Sequence, residues 1–189
     1  MSPLLISHRG KINLGSPENV LIGIQEAIDI GVDMIEFDIR RTKDDFLVCY
    51  HDSKVNGTLV SDLTFDALKK MNKSICKLEE VLDICKDRVG VNLEIKEIGF
   101  EDKVVEKLIA NFSYDNFFVT SFSSLVLRKI KKLDCKINTG LLIGNAINFQ
   151  VFYKIIKESI FMTEFYYSKA DFISPFYKIY EMGLMKRFE

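Results

Sequence analysis

Hydrophobic and polar positions alternate most clearly between Met34 and Asp52, MIEFDIRRTKDDFLVCYHD. Successive side chains of a strand point to opposite faces, so Ile35, Phe37 and Ile39 share one face while Glu36, Asp38 and Arg40 share the other. One face is apolar and the other charged. With Asp44 and Asp45 as a two-residue hairpin tip, His51 falls directly opposite Asp38 on the charged face. Two carboxylates and an imidazole on one face call for a partner, either a divalent cation or a phosphate.

The same reading runs along the rest of the chain. Pro3 to Gly10 is a short apolar run ending in His8, Arg9 and Gly10, a buried first strand with its polar residues at the C-terminal end. Ser16 and Pro17 open a helix carrying Val20, Leu21, Ile24, Ala27 and Ile28, with Gly31 as its stop. After the hairpin comes a polar loop over Ser53 to Asp62, turning at Asn56-Gly57, then a short helix capped by Thr64 and a longer one from Lys77 to Lys86. From Val89 to Lys96, Val91, Leu93 and Ile95 alternate with Asn92, Glu94 and Lys96, which repeats the central pattern. A helix with Val104, Val105, Leu108 and Ile109 follows, then a strand at Phe117 to Phe122 and a helix capped at Ser123 or Ser124. The remaining expectations are a strand at Asn138 to Gly144, a helix at Phe149 to Phe161, a strand at Asp171 to Ser174 and a last helix from Tyr177 to Phe188.

Six strand-helix units with polar residues at strand C-termini predict an α/β fold of the TIM-type (β/α) barrel kind, one domain over residues 1–189, with a β-hairpin extension after strand 2. A doubly wound sheet is disfavoured because no Gly-rich phosphate turn follows the first strand. A full barrel takes eight units, so this one is expected to be truncated after about six.

Composition narrows the function. The 189 residues are 48% hydrophobic and 28% charged, an ordinary globular balance, and a formal net charge of -1 argues against a nucleic-acid partner. No apolar run approaches the roughly 20 residues of a membrane span. Cys49, Cys76, Cys85 and Cys135 lack CxxC spacing, and no secretory leader precedes Leu4, so they are expected as reduced core thiols of a cytoplasmic protein. Both histidines, His8 and His51, stand at strand ends with Arg9, Glu36, Asp38, Glu94 and Lys96. The three carboxylates are hard oxygen ligands suited to calcium or magnesium, Arg9 and Lys96 suit a phosphate, and two imidazoles suit proton transfer near neutral pH. Glu94 and Lys96 also read as an ion pair that satisfies itself. Tyr166, Tyr167, Phe176 and Tyr177 read as core packing before a cation–π cradle.

In order along the chain, HRG, PENV, IEFDIRRTKDD, HD and LEIK resemble the glycerophosphodiester phosphodiesterase family, whose members have a TIM-type barrel. FVTSFSSLVLRKI, TGLLIG and ADFISP resemble its fourth to sixth strands more loosely. The resemblance implies Glu36, Asp38 and Glu94 as metal ligands, His8 and His51 as the acid/base pair, Arg9 and Lys96 as phosphate contacts, and Glu18 and Asn19 as supports. It departs at Val20, where the family has Thr, at Asp45, where it has Gly, and in a shorter loop after Asp52; the chain also stops before the family's Trp-Thr-Val-Asn strand. The expected function is metal-dependent hydrolysis of small glycerophosphodiesters to glycerol 3-phosphate and an alcohol, with a divalent Ca2+ or Mg2+ as cofactor. The alternative is a catalytically impaired barrel remnant that binds or scaffolds. Open strand edges call for a cover, by a homo-oligomer or a rearranged tail.

Overall fold

A computed structural model of the chain describes residues 3–13, 15–144 and 162–176. The elements begin with β1 (Ile6–His8), α1 (Leu21–Asp29), β2 (Met34–Arg41), β3 (Leu47–Cys49), β4 (Lys54–Val55), β5 (Thr58–Leu59), α2 (Phe65–Met71) and β6 (Cys76–Lys77). They continue with α3 (Leu78–Cys85), β7 (Gly90–Ile95), α4 (Glu101–Asn111), β8 (Phe117–Ser121), α5 (Ser124–Leu133), β9 (Thr139–Ile143), α6 (Thr163–Ser168) and β10 (Phe172–Pro175). The helices expected at 149–161 and 177–188 lie outside the described residues, and α6 was not anticipated.

Parallel pairing runs β1–β2–β7–β8–β9–β10, so the strands of the β/α units stand side by side in sequence order. That is the order of a (β/α) barrel; a doubly wound sheet would reverse direction at a switch point. Among the described residues no strand pairs with the outer edge of β1 or β10. The alternation sorts the two faces. Ile35, Phe37 and Ile39 of β2, Val91, Leu93 and Ile95 of β7 and Val119 of β8 are fully buried with Ile24, Val81, Val104, Leu108, Val126 and Ile130 from the helices. Removing this apolar surface from water is the main force closing helices onto sheet. Thr64 caps α2 by accepting from the Ala67 amide at 3.3 Å, and Ser123 caps α5.

Four local expectations are corrected. The first strand is Ile6–His8 alone, and Leu4 and Leu5 are 62% and 60% exposed, because this run flanks the sheet edge that is unpaired among the described residues. The first helix begins at Leu21, not at Pro17, since Asn19 takes a positive φ of 55° and spends its side chain on β2. Thr42 and Phe46 close a three-residue hairpin loop in which Asp45 adopts φ 71°, so β2 and β3 pair one residue out of the expected register, with Ile39 opposite Cys49. A type I turn followed by a left-handed residue accounts for that shift, and Asp tolerates this φ less readily than Gly. Cys135 is exposed, whereas Cys49, Cys76 and Cys85 are buried as free thiols. Asn56-Gly57 does turn the chain, joining β4 to β5 with φ values of 48° and 85°. No helix among the described residues is long and apolar enough to cross a membrane.

Candidate active site at the strand ends

The chain leaves β1 through two residues of positive φ, Arg9 at 58° and Gly10 at 65°. A Cβ on Gly10 would stand 2.6 Å from Ile24 Cγ1, so glycine lets the turn close against α1. The Arg9 amide donates to Glu36 Oε2 at 2.9 Å, and the Arg9 carbonyl accepts from the Asn19 amide at 2.8 Å. Asn19 uses both ends of its carboxamide on Asp38: Nδ2 donates to Oδ2 at 2.8 Å, and Oδ1 accepts from the Asp38 amide at 3.1 Å. Glu18 holds Arg9 through both oxygens, each 3.0 Å from Nη1.

Glu36 and Asp38 on β2 face Asn92 and Glu94 across the parallel pairing with β7. One oxygen from each of Glu36, Asp38 and Glu94 lies within 4.8 Å of the others, and all three residues are buried. Lys96 Nζ pairs with Asp38 Oδ1 at 2.8 Å and with Glu94 Oε1, while Arg9 Nε lies 3.3 Å from Asp38 Oδ2. Three carboxylates thus meet two cations. Burial and then the Asp38 charge push Glu36 up to about 8. Burial also raises Glu94, against the pull of Lys96. Burial works against the Asp38 carboxylate too, yet Lys96, Asn19 and Arg9 outweigh it and hold Asp38 below its ordinary range.

His8 Nε2 stands 3.8 Å from Glu36 Oε2. His51 is not opposite Asp38: the Tyr50 amide donates to the Asp38 carbonyl at 3.0 Å, and His51 follows, its Nδ1 2.8 Å from Asp52 Oδ1. Both histidines nevertheless line one cavity of about 770 Å³ with Arg9, Glu36, Glu94 and Lys96. The lining contributed from β8 to β10 is uncharged, with Phe122, Leu142, Pro175 and Phe176 interspersed with Thr120, Ser121, Ser123 and Ser174. Asp38 and Asn19 lie beneath, and Glu18 sits outside on Arg9. Arg40 and Asn92 also line this cavity, and the alternation that marked Glu36 and Glu94 marks them as well. Of the four aromatics expected in the core, Tyr166 is 70% exposed, Phe176 lines the cavity and Tyr177 lies outside the described residues.

The carboxylates fit a divalent cation. Oxygens each about 2.3–2.6 Å from one calcium lie up to roughly 5 Å apart, which spans the observed cluster. Asp38 Oδ1 is buried with the Lys96 ammonium 2.8 Å away and no well-directed hydrogen bond among the described residues. The surplus negative charge is of the sign a metal offsets.

The family model described as the glycerophosphoryl diester phosphodiesterase family matches residues 8–148. A glycerophosphodiester phosphodiesterase of Caldanaerobacter subterraneus subsp. tengcongensis is 32% identical over 165 residues, covering 75% of this chain and 67% of that protein. A solved glycerophosphodiester phosphodiesterase of Thermotoga maritima gives a TM-score of 0.74 at 23% identity over 98% of this chain and 79% of that one. An Oleispira antarctica phosphodiesterase, solved with its product sn-glycerol-3-phosphate, gives 0.73 at 21% identity over 98% and 81%. Strand order and these likenesses place the chain in the (β/α)-barrel fold class, as an α/β chain with a mainly parallel sheet. Within that class the chain belongs to the glycerophosphoryl diester phosphodiesterase family, and so is a phosphoric diester hydrolase.

The raised Glu36 makes metal-free stability depend on pH. The folded state holds this proton more tightly than the unfolded chain, so stability falls as pH rises from the ordinary 4.5 to about 8. Glu94 acts in the same direction, whereas Asp38, with its lowered value, loses stability only below its ordinary 3.8. In chelator, the urea midpoint at about pH 5.5 should exceed that at about pH 8.5, and Glu36→Gln should remove most of the difference. Equal pH dependence in the two proteins would contradict this assignment.

Proposed function

We propose that the chain hydrolyses glycerophosphodiesters to glycerol 3-phosphate and an alcohol within this cavity, with Glu36, Asp38 and Glu94 holding calcium or magnesium. The observation that carries the reading is the buried three-carboxylate cluster, flanked by two cations and by both histidines. The bound ion supplies Lewis acidity, offsetting the charge that develops at phosphorus. Arg9 and Lys96 face the nonbridging phosphate oxygens, and their charge favours the diester over a neutral ligand. His8 and His51 divide the proton transfers. One takes the proton of the attacking oxygen as the new bond to phosphorus forms; that oxygen is water's, or it is the neighbouring glycerol hydroxyl's, in which case a cyclic phosphate forms that water then opens to glycerol 3-phosphate. The other protonates the alcohol oxygen as its bond to phosphorus breaks. Glu18 orients Arg9, and Asn19 fixes Asp38. The uncharged lining at Phe122 and Leu142 leaves room for a variable alcohol. The full set of site residues does not favour the remnant reading.

Glycerol 3-phosphate should be released from glycerophosphocholine or glycerophosphoethanolamine with calcium or magnesium and not with chelator. His8→Ala and His51→Ala should each lower turnover by about 10²- to 10⁴-fold while keeping the melting transition. Most of the activity surviving in either variant would remove that histidine from the mechanism. The outer edges of β1 and β10, with Leu4 and Leu5 exposed nearby, are assigned to contact with a second copy. Light scattering should then report at least a dimer, and a clean monomer at assay concentration would refute that assignment.

A further inference from the structure

The β2–β3 ladder ends where the Tyr50 amide meets the Asp38 carbonyl, leaving His51 as the first residue beyond it. A side chain takes over from the strand pairing at that point. Arg40 Nε donates to the His51 carbonyl at 3.0 Å and Nη2 donates to the same oxygen at 2.7 Å. Its third nitrogen, Nη1, is paired with Glu97 just past β7. Arg40 is buried, on the same strand face as Glu36 and Asp38. A planar guanidinium engaged at all three nitrogens cannot turn without giving up a charge-assisted bond, so it fixes what it holds. On the His51 ring, Nδ1 faces Asp52, which leaves Nε2 as the nitrogen for the cavity.

We propose that Arg40, locked by Glu97, is the residue that positions His51 for proton transfer. The inference rests on the acid/base reading of His51 given above. It assigns Arg40 to the imidazole's placement and not to the phosphate, although Arg40 also lines the cavity. The two roles separate in experiment, because a phosphate contact acts with or without the imidazole.

Arg40→Lys keeps a positive charge for Glu97 but loses the fork on the carbonyl. Glu97→Gln keeps the fork and loosens its third anchor. With glycerophosphocholine as substrate, Arg40→Lys should lower kcat by about 10²-fold with KM within about twofold, and Glu97→Gln should do the same to a smaller extent. Adding Arg40→Lys to His51→Ala should cost no further activity. A raised KM at unchanged kcat, or a further loss in the His51→Ala background, would overturn the proposal in favour of a phosphate contact. The chain has two histidines, so ¹⁵N-imidazole spectra are assigned by comparison with His8→Ala. In Arg40→Lys the His51 signals should move and those of His8 should not. Unmoved His51 signals in a folded variant would overturn the positioning role even if the wild type showed no turnover, and absent wild-type turnover with shifted His51 signals would count against the hydrolase reading alone.

Discussion

Burying an ionised carboxylate costs several kcal/mol unless other charges and hydrogen bonds replace its water. Asp38 has no exposed surface, and much of the local architecture follows from holding its charge. Asn19 gives it a hydrogen bond and takes its amide, which explains why α1 starts late and why Asn19 accepts a positive φ. Arg9 approaches from the turn after β1, and Lys96 from the end of β7. Truncating any one of these partners would leave a buried charge short of compensation. The same arrangement brings Glu36 and Glu94 beside Asp38, and burial first, then the Asp38 charge, leaves Glu36 with a proton near neutrality.

That held proton links fold to function. With Glu36 protonated the two remaining carboxylates balance Arg9 and Lys96, and a divalent ion would take the proton's place. Here the oxygen-rich face sits at the C-terminal ends of parallel strands, where a (β/α) barrel gathers its chemistry. The helices pack on the opposite face of the sheet, so the apolar core and the charged cavity share strands, and Ile95 at the end of β7 borders both. The cavity lining is charged where β1, β2 and β7 end and uncharged where β8, β9 and β10 end.

The alternation of Glu36 and Asp38 against Ile35 and Phe37, repeated by Glu94 against Leu93 and Ile95, made the two-faced strands legible from the chain alone. Strand order followed, because successive strands joined by helices pair in parallel. The hairpin register did not, since a three-residue loop and a two-residue loop read alike until Asp45 is known to adopt a positive φ. That single residue of slippage took His51 off the ladder. Arg40 shows the same limit from the other side: its alternation marked it as inward, yet its partner Glu97 stands just past the end of the neighbouring strand β7, a pairing that local sequence does not place. The exposure of Leu4 and Leu5 was hidden for a related reason, because an apolar run reveals no more than its own hydrophobicity and not whether a neighbour covers it.

On the proposed function, the carboxylates of Glu36, Asp38 and Glu94 hold one divalent ion. Calorimetric titration of metal-free protein with calcium and with magnesium tests it without reference to turnover. One site per chain is expected for at least one of the two ions, lost in Glu36→Gln and in Glu94→Gln while both variants stay folded, with proton release near pH 7 in the wild type. Binding that survives both substitutions, or no binding of either ion by the folded wild type, would contradict it.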